Sequence, residues 1–128
     1  MNLQAVMINS ENPEKLVDFY TKVIGPSAFS GGPFTGWSVG ERIGLMVGPH
    51  SDVKGENKEP GRIMITFESN DVKADFERIK GFGAMAVSEP VNPSGAPETE
   101  KEMLLACLAD PDGNYLQIAS PFDPSDMK

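Results

Sequence analysis

Residues 110–117 read Asp110-Pro111-Asp112-Gly113-Asn114-Tyr115-Leu116-Gln117, a turn followed at once by an apolar stretch. Proline presets φ at the second position of such a turn, and glycine tolerates the conformation of the fourth. β-prone residues lie on both sides of it, over 103–109 and 115–119. The pattern therefore predicts two final strands joined by a tight turn.

The N-terminal part of the chain predicts a strand followed by a helix. Residues 3–8 form an apolar stretch that suits a buried strand. Asn12 can cap the helix, Pro13 suits its first turn, and Gly25-Pro26 ends it. The apolar residues of this helix recur at helical spacing and are Leu16, Phe19, Tyr20 and Val23.

A meander of antiparallel strands is predicted next. Its three β-prone pieces cover residues 27–30, 34–39 and 42–47 and are separated by glycine-containing turns. The polar run 50–60 has no periodicity and reads as an exposed linker.

The same order of elements then begins again. Residues 62–67 predict a strand, and Asn70 or Asp71 can cap a helix that Gly81 and Gly83 end. The apolar positions of this second helix are Val72, Phe76 and Ile79.

The second repeat is completed by three further strands. Residues 85–87 predict the first of them, and a loop rich in proline, glycine and serine over 89–98 leads to the final two. The chain thus predicts an α+β fold of two βαβββ repeats in a single domain of 1–128. The repeats cover 1–49 and 61–122.

Alternation along the strands predicts two distinct faces. The face covered by the helices carries Val6, Ile8, Leu45, Val47, Ile65, Phe67, Leu116 and Ile118. The concave face carries Ala5, Met7, Met46, Met64, Thr66, Tyr115 and Gln117. A mixture of apolar bulk and a few polar groups is typical of small-molecule pockets.

The composition favours one globular domain with an acidic surface. The chain has 128 residues and a formal net charge of -8 at pH 7, so its surface repels nucleic acid and anionic lipid. We expect a cationic or neutral small-molecule ligand, with no nucleic-acid and no membrane partner.

Cysteine and histidine are each present once. Cys107 cannot form an internal disulfide, and the N-terminus has neither a basic leader region nor an 18-residue apolar run. We therefore expect a cytoplasmic protein. His50 alone limits any histidine-based metal or acid-base site.

Together these parts resemble the vicinal oxygen chelate superfamily, which includes glyoxalases, ring-cleaving dioxygenases, fosfomycin-resistance enzymes and bleomycin-binding proteins. The resemblance covers nearly the whole chain. It is carried by residues 110–117, by a first helix containing Asp18-Phe19-Tyr20, and by the restart over residues 61–72. It implies a glyoxalase-like fold, with a curved and mostly antiparallel sheet cup, and a homodimer.

The resemblance also implies where metal ligands would lie. Metal-dependent members place four ligands on the concave face, and the matching positions here are Ala5, Met46, Met64 and Gln117. Alanine has no donor atom, a thioether is soft, and a neutral amide is weaker than a carboxylate. A one-residue register shift brings in Gln4, Arg62 or Ile63, which do not restore the set. We therefore expect no metal and no other cofactor.

A ligand pocket is predicted on this concave face. Its candidate residues are Ala5, Met7, Trp37, Met46, Met64, Tyr115 and Gln117. Trp37 could form an aromatic wall with Phe29 and Phe34, or it could fill the core. The methionines could make an adaptable pocket or pack as ordinary core residues.

Two functions remain open from the sequence. The first is a metal-free protein that binds and sequesters a small molecule, such as an antibiotic. The alternative is an enzyme of the glyoxalase or dioxygenase type, with unusual metal ligands or with acid-base chemistry through Glu41, His50 or Tyr115. No catalytic residue is assigned. Asp110 and Asp112 are interpreted as turn residues because their spacing is not that of a calcium loop.

Overall fold

A computed structural model describes residues 1–93 and 103–122, which form two four-stranded sheets and two helices. The α+β class and the two βαβββ repeats are confirmed. The chain divides into two compact units, residues 1–57 and 58–128, each with one repeat. The division falls inside the predicted linker.

The first unit contains one helix and one sheet. Its elements are β1 (Ala5–Asn9), α1 (Pro13–Ile24), β2 (Phe29–Gly31), β3 (Phe34–Ser38) and β4 (Gly44–Gly48). The strand order is β1-β4-β3-β2. β1 runs parallel to β4, while β2, β3 and β4 form the predicted antiparallel meander.

α1 begins where proline is expected but is capped differently from the prediction. Asn12 is the residue before the helix, yet its side chain makes no cap hydrogen bond. Instead, the buried Ser10 accepts the backbone N–H of Asn12 on its Oγ at 3.0 Å. Gly25 ends the helix with φ of 125°, and its N–H donates to Thr21 O.

The second unit repeats this arrangement. Its elements are β5 (Ile65–Glu68), α2 (Val72–Lys80), β6 (Met85–Val91), β7 (Leu105–Ala109) and β8 (Tyr115–Ala119). The strand order β5-β8-β7-β6 matches that of the first sheet, with β5 parallel to β8.

Three strands of the second unit differ in their bounds from the prediction, and those of the first unit differ by one or two residues at one end or both. β5 starts at Ile65, because Arg62 is still in a turn in which its N–H donates to Glu59 O. β6 pairs with β7 through irregular register as far as Val91, and so enters the predicted loop 89–98. Residues 94–98 of that loop lie outside the described residues. β7 starts at Leu105 rather than at residue 103.

Each unit has its own core between helix and sheet. In the first unit the core contains Leu16, Phe19, Tyr20, Trp37, Leu45 and Val47. In the second it contains Val72, Phe76, Ile79, Leu108, Leu116 and Ile118. The predicted helix-facing residues of β4 and β8 are therefore buried, whereas those of β1 and β5 are half-buried.

Within residues 1–93 and 103–122, neither helix has the length and hydropathy that a membrane span requires.

Candidate ligand-binding site

The first sheet has one face turned towards α1 and one face turned away from it, here called the open face. Buried Leu45 and Val47 of β4 alternate with Gly44 and Met46, which therefore point away from α1. Directly paired residues share a face. The open face thus carries one row of Ala5, Gly44 and Ser38 and a second row of Met7, Met46, Gly36 and Phe29.

An aromatic ring lies directly on the backbone of this face. A Cβ atom at Gly36 would be 2.5 Å from Cε1 of Phe29, a contact that real structures do not show. Glycine at position 36 is therefore what allows the Phe29 ring to lie directly against β3. The Phe34 ring lies over Gly48 in the same way.

A depression of about 560 Å³ lies in this unit, lined mainly by open-face residues. Its apolar lining consists of Ala5, Ala28, Phe29, Trp37, Ile43 and Met46. Gly44 leaves room above its strand, whereas the space above Gly36 holds the Phe29 ring. The volume lies within the range of small-molecule pockets.

Polar groups are found at one end of the depression. Gln4, Ser38 and Arg42 line it where β1 begins and where β3 turns into β4. The Val39 N–H donates to Ile43 O at 3.0 Å, which closes the β3–β4 turn that carries Arg42. Amide, hydroxyl and guanidinium groups at one end and an apolar floor at the other would orient an amphipathic molecule.

The structure brings three of the seven predicted site residues to this depression. They are Ala5, Met46 and Trp37. Met7 pairs with Met46 across the strands and is 48% exposed, but it does not line the depression.

Trp37 is chiefly a core residue. It is 2% exposed, its indole N–H donates to Gly25 O at 2.9 Å, and its ring lies 6.4 Å from that of Tyr20. The aromatic side chains considered together in the sequence are thus separated, because Phe29 and Phe34 lie on the open face and the Trp37 indole is directed towards α1.

The other three predicted residues belong to the second unit. Tyr115 and Gln117 lie on β8 and are half-buried, and Met64 immediately precedes β5 and is 41% exposed. Thr66 pairs with Gln117 and donates its hydroxyl to the Oε1 atom of Gln117 at 2.9 Å. Ligand binding by these residues stays a prediction.

Cys107 pairs with Gln117 but is shielded from solvent. Burial raises the pKa of its thiol above the ordinary value, because a thiolate would be poorly solvated there. The structure thus gives no sign of an activated nucleophile at this position.

The residues at the four ligand-equivalent positions do not fit a divalent metal. Ala5 supplies no donor, Met46 and Met64 supply only thioethers, and Gln117 already uses its amide oxygen to accept the Thr66 hydroxyl. Among residues 1–93 and 103–122, no group of three His, Cys, Asp or Glu side chains is arranged to hold a metal ion.

The acid-base candidates His50 and Glu41 do not line the depression. His50 is exposed at the end of β4, and its Nδ1 accepts the Asp52 N–H at 3.1 Å. Glu41 is exposed in the β3–β4 turn. The described residues that line the depression include no side chain that could act as a general base near neutral pH.

The sequence comparisons agree with this architecture. A family model described as a glyoxalase-like domain matches residues 5–119. The chain belongs to the glyoxalase-like domain family. The resemblance to the vicinal oxygen chelate superfamily is therefore confirmed. A search of curated protein sequences finds no significant match to this glyoxalase-like domain.

Solved structures share its fold. A glyoxalase/bleomycin resistance protein/dioxygenase family enzyme from Burkholderia phytofirmans is 18% identical, with a TM-score of 0.71 over 95% of this chain and 100% of that one. A glyoxalase-related enzyme from Fulvimarina pelagi is also 18% identical, with a TM-score of 0.72 over 94% and 88% of the two chains.

A larger protein contains the same fold. A glyoxalase I mutant from Zea mays is 17% identical, with a TM-score of 0.74 over 95% of this chain. The glyoxalase-like domain spans 46% of that protein. At this level of identity the likeness concerns the fold.

Proposed function

We propose that this glyoxalase-like domain binds a small organic molecule in the depression of the first sheet, without a metal ion, and sequesters it rather than converting it. One observation carries the proposal: the depression combines an apolar floor with polar groups at one end. Gly44 keeps that floor open, Gly36 makes room for the Phe29 ring, and Phe29 and Met46 supply contact area for an apolar ligand.

Sequestration is favoured over turnover by what the depression offers chemically. Its described lining has no carboxylate, imidazole or thiol, and the ligand-equivalent residues are poor metal donors. A group that moves a proton must lie within hydrogen-bond reach of its substrate. The names of several fold neighbours include bleomycin resistance protein, which is consistent with binding an antibiotic.

Substitution Gly44→Val tests the proposed site. A Cβ atom at Gly44 would meet only Trp37 O, at an ordinary 3.7 Å, so the strand accepts the change while valine fills the floor. With the neutral fluorescent probe N-phenyl-1-naphthylamine, we expect Kd to rise at least about tenfold, which is about 1.4 kcal/mol. Fluorescence titration of the native protein and the variant measures this.

Gly61→Val is the matched control. Gly61 is exposed and does not line the depression, and a Cβ atom added there would meet nothing within 4 Å. Its substitution should leave probe affinity unchanged. Equal affinities in native protein and in a folded Gly44→Val variant, checked by circular dichroism, would rule out the depression as the binding site.

A further inference from the structure

We infer that the ligand of this depression is an organic anion, with its apolar body on the floor and its negative group at Arg42. The inference rests on the proposed function and adds the chemical class of ligand. The net charge of the chain led us to expect a cationic or neutral ligand. The charge of the residues that line the depression favours an anionic one instead.

The charge of the site is opposite to that of the chain. The whole sequence has a net charge of -8, yet Arg42 is the one charged side chain among the described residues that line the depression. Surface charges more than about 8–10 Å away are largely screened at physiological ionic strength. Glu41 is next to Arg42 in the β3–β4 turn but does not line the depression, so a bound ligand would interact most strongly with the Arg42 guanidinium group.

Arg42 also differs from the other arginines in its surroundings. Arg62 pairs with Glu59 at 3.0 Å, and Arg78 pairs with Asp75 at 3.1 Å. Arg42 has no ion pair or hydrogen bond with any residue of 1–93 and 103–122. No described residue therefore competes for the bidentate contact that guanidinium groups make with carboxylate, sulfonate or phosphate groups.

The neighbouring polar groups add no negative charge to this end. Gln4 carries an amide that can donate to an anion, whereas the Ser38 hydroxyl, on the row that ends at Ala5, already donates to Gly40 O at 3.3 Å. Neither is negatively charged. The apolar end, with Phe29 and Met46, lies on the next row of the open face. A ligand with a flat hydrophobic body and one acidic group matches this division.

A second depression provides the contrast. It has a volume of about 690 Å³ and lies beside the N-terminal part of α1, where its charged residues are Glu14 and Asp18. The depression beside α1 thus carries acidic side chains, whereas the described lining of the depression at Arg42 contains none. A cationic molecule would be directed to the second and away from Arg42.

Two probes that differ in one group test the charge preference. 1-Anilinonaphthalene-8-sulfonate and N-phenyl-1-naphthylamine share an aromatic body, and only the first carries a sulfonate. We expect the native protein to bind the sulfonate about tenfold more tightly. Arg42→Ala should raise Kd for the sulfonate about tenfold and change Kd for the neutral probe by less than about twofold, since a charged hydrogen bond has roughly this strength.

Variants at two other positions distinguish the possible failures. Arg42→Lys should retain part of the preference, and Arg62→Ala should retain all of it, because Arg62 does not line the depression and pairs with Glu59. If Gly44→Val weakens both probes while Arg42→Ala leaves the sulfonate unaffected, the site is correct and the anion inference is wrong. If Gly44→Val weakens neither probe, the proposed function itself fails.

Discussion

Asp110 fixes the turn between β7 and β8 from a buried position. Its side chain is 4% exposed, and Oδ1 accepts the backbone N–H groups of Asp112 and Asn114 at 2.9 and 3.0 Å. Oδ2 accepts the side-chain amide of Asn114 at 3.0 Å. Pro111 and Gly113 predict the turn but not the burial, because aspartate in a turn is usually exposed.

Replacing Asp110 with alanine should lower the free energy of unfolding by about 2–3 kcal/mol. The change removes the carboxylate oxygen that accepts the N–H groups of Asp112 and Asn114, in a turn where Asp110 and Asp112 are buried. Urea denaturation followed by circular dichroism measures the loss. Asp52→Ala is the control, since that side chain is 88% exposed and its removal should cost less than about 0.5 kcal/mol. Similar losses in the two variants would contradict this account.

Periodicity in the sequence predicts the order and type of the helices and strands. It does not predict which face of a strand a helix covers. Alternation in β3 separates Trp37 from Phe34 and Gly36, yet it does not say which set faces a helix. The pairing of Trp37 with the buried Leu45 is what decides the face.

The candidate site is predictable where it lies on strands and not where it lies in a turn. Ala5 and Met46 can be assigned to the same face because strand alternation is regular. Arg42 follows no periodic pattern, and Gly36 and Gly44 look like weak strand residues until the rings and space above them are known. A cationic residue in a short turn next to an open sheet face is the signal that sequence reasoning missed.

The two helix starts are capped by different means, although they occupy matching places. Ser10 and Ser69 follow β1 and β5, are both buried, and each accepts the N–H group two residues later. Only α2 adds a cap from its N-cap side chain, because Asp71 Oδ1 accepts the Ala74 N–H at 3.1 Å. The two repeats thus share this serine hydrogen bond, which comparing the sequences of the two halves does not reveal.

Substitutions at the two N-cap residues should therefore differ. We expect Asp71→Ala to lower the free energy of unfolding by about 1 kcal/mol, since it removes a cap hydrogen bond. Asn12→Ala should change it by less than about 0.5 kcal/mol, because the Asn12 side chain makes no such bond. Chemical denaturation of both variants measures the difference. A loss at Asn12 as large as that at Asp71 would show that the caps are equivalent.

Membership of the glyoxalase-like domain family establishes the fold of the molecule. The chemistry of its site depends on which residues this fold carries. The same fold is shared by proteins whose names include glyoxalase, bleomycin resistance protein and dioxygenase. The homodimer implied by the resemblance stays a prediction. In this chain the positions that the resemblance gives for metal ligands hold Ala5, Met46, Met64 and Gln117, which are poor donors for a divalent ion.

Metal removal should leave the intact protein unchanged in stability and binding. Ala5, Met46, Met64 and Gln117 offer too few hard donors to hold a divalent ion, so a chelator has nothing to withdraw that the fold or the depression needs. We expect dialysis against EDTA to leave Tm and the Kd for N-phenyl-1-naphthylamine unaltered. Added Zn²⁺ or Ni²⁺ should not raise Tm, because a ligand stabilises a fold only by binding its native state. Elemental analysis of protein purified without chelator provides the independent check. One equivalent of tightly held metal, together with loss of probe binding after EDTA, would show instead that this chain builds a metal centre from other residues.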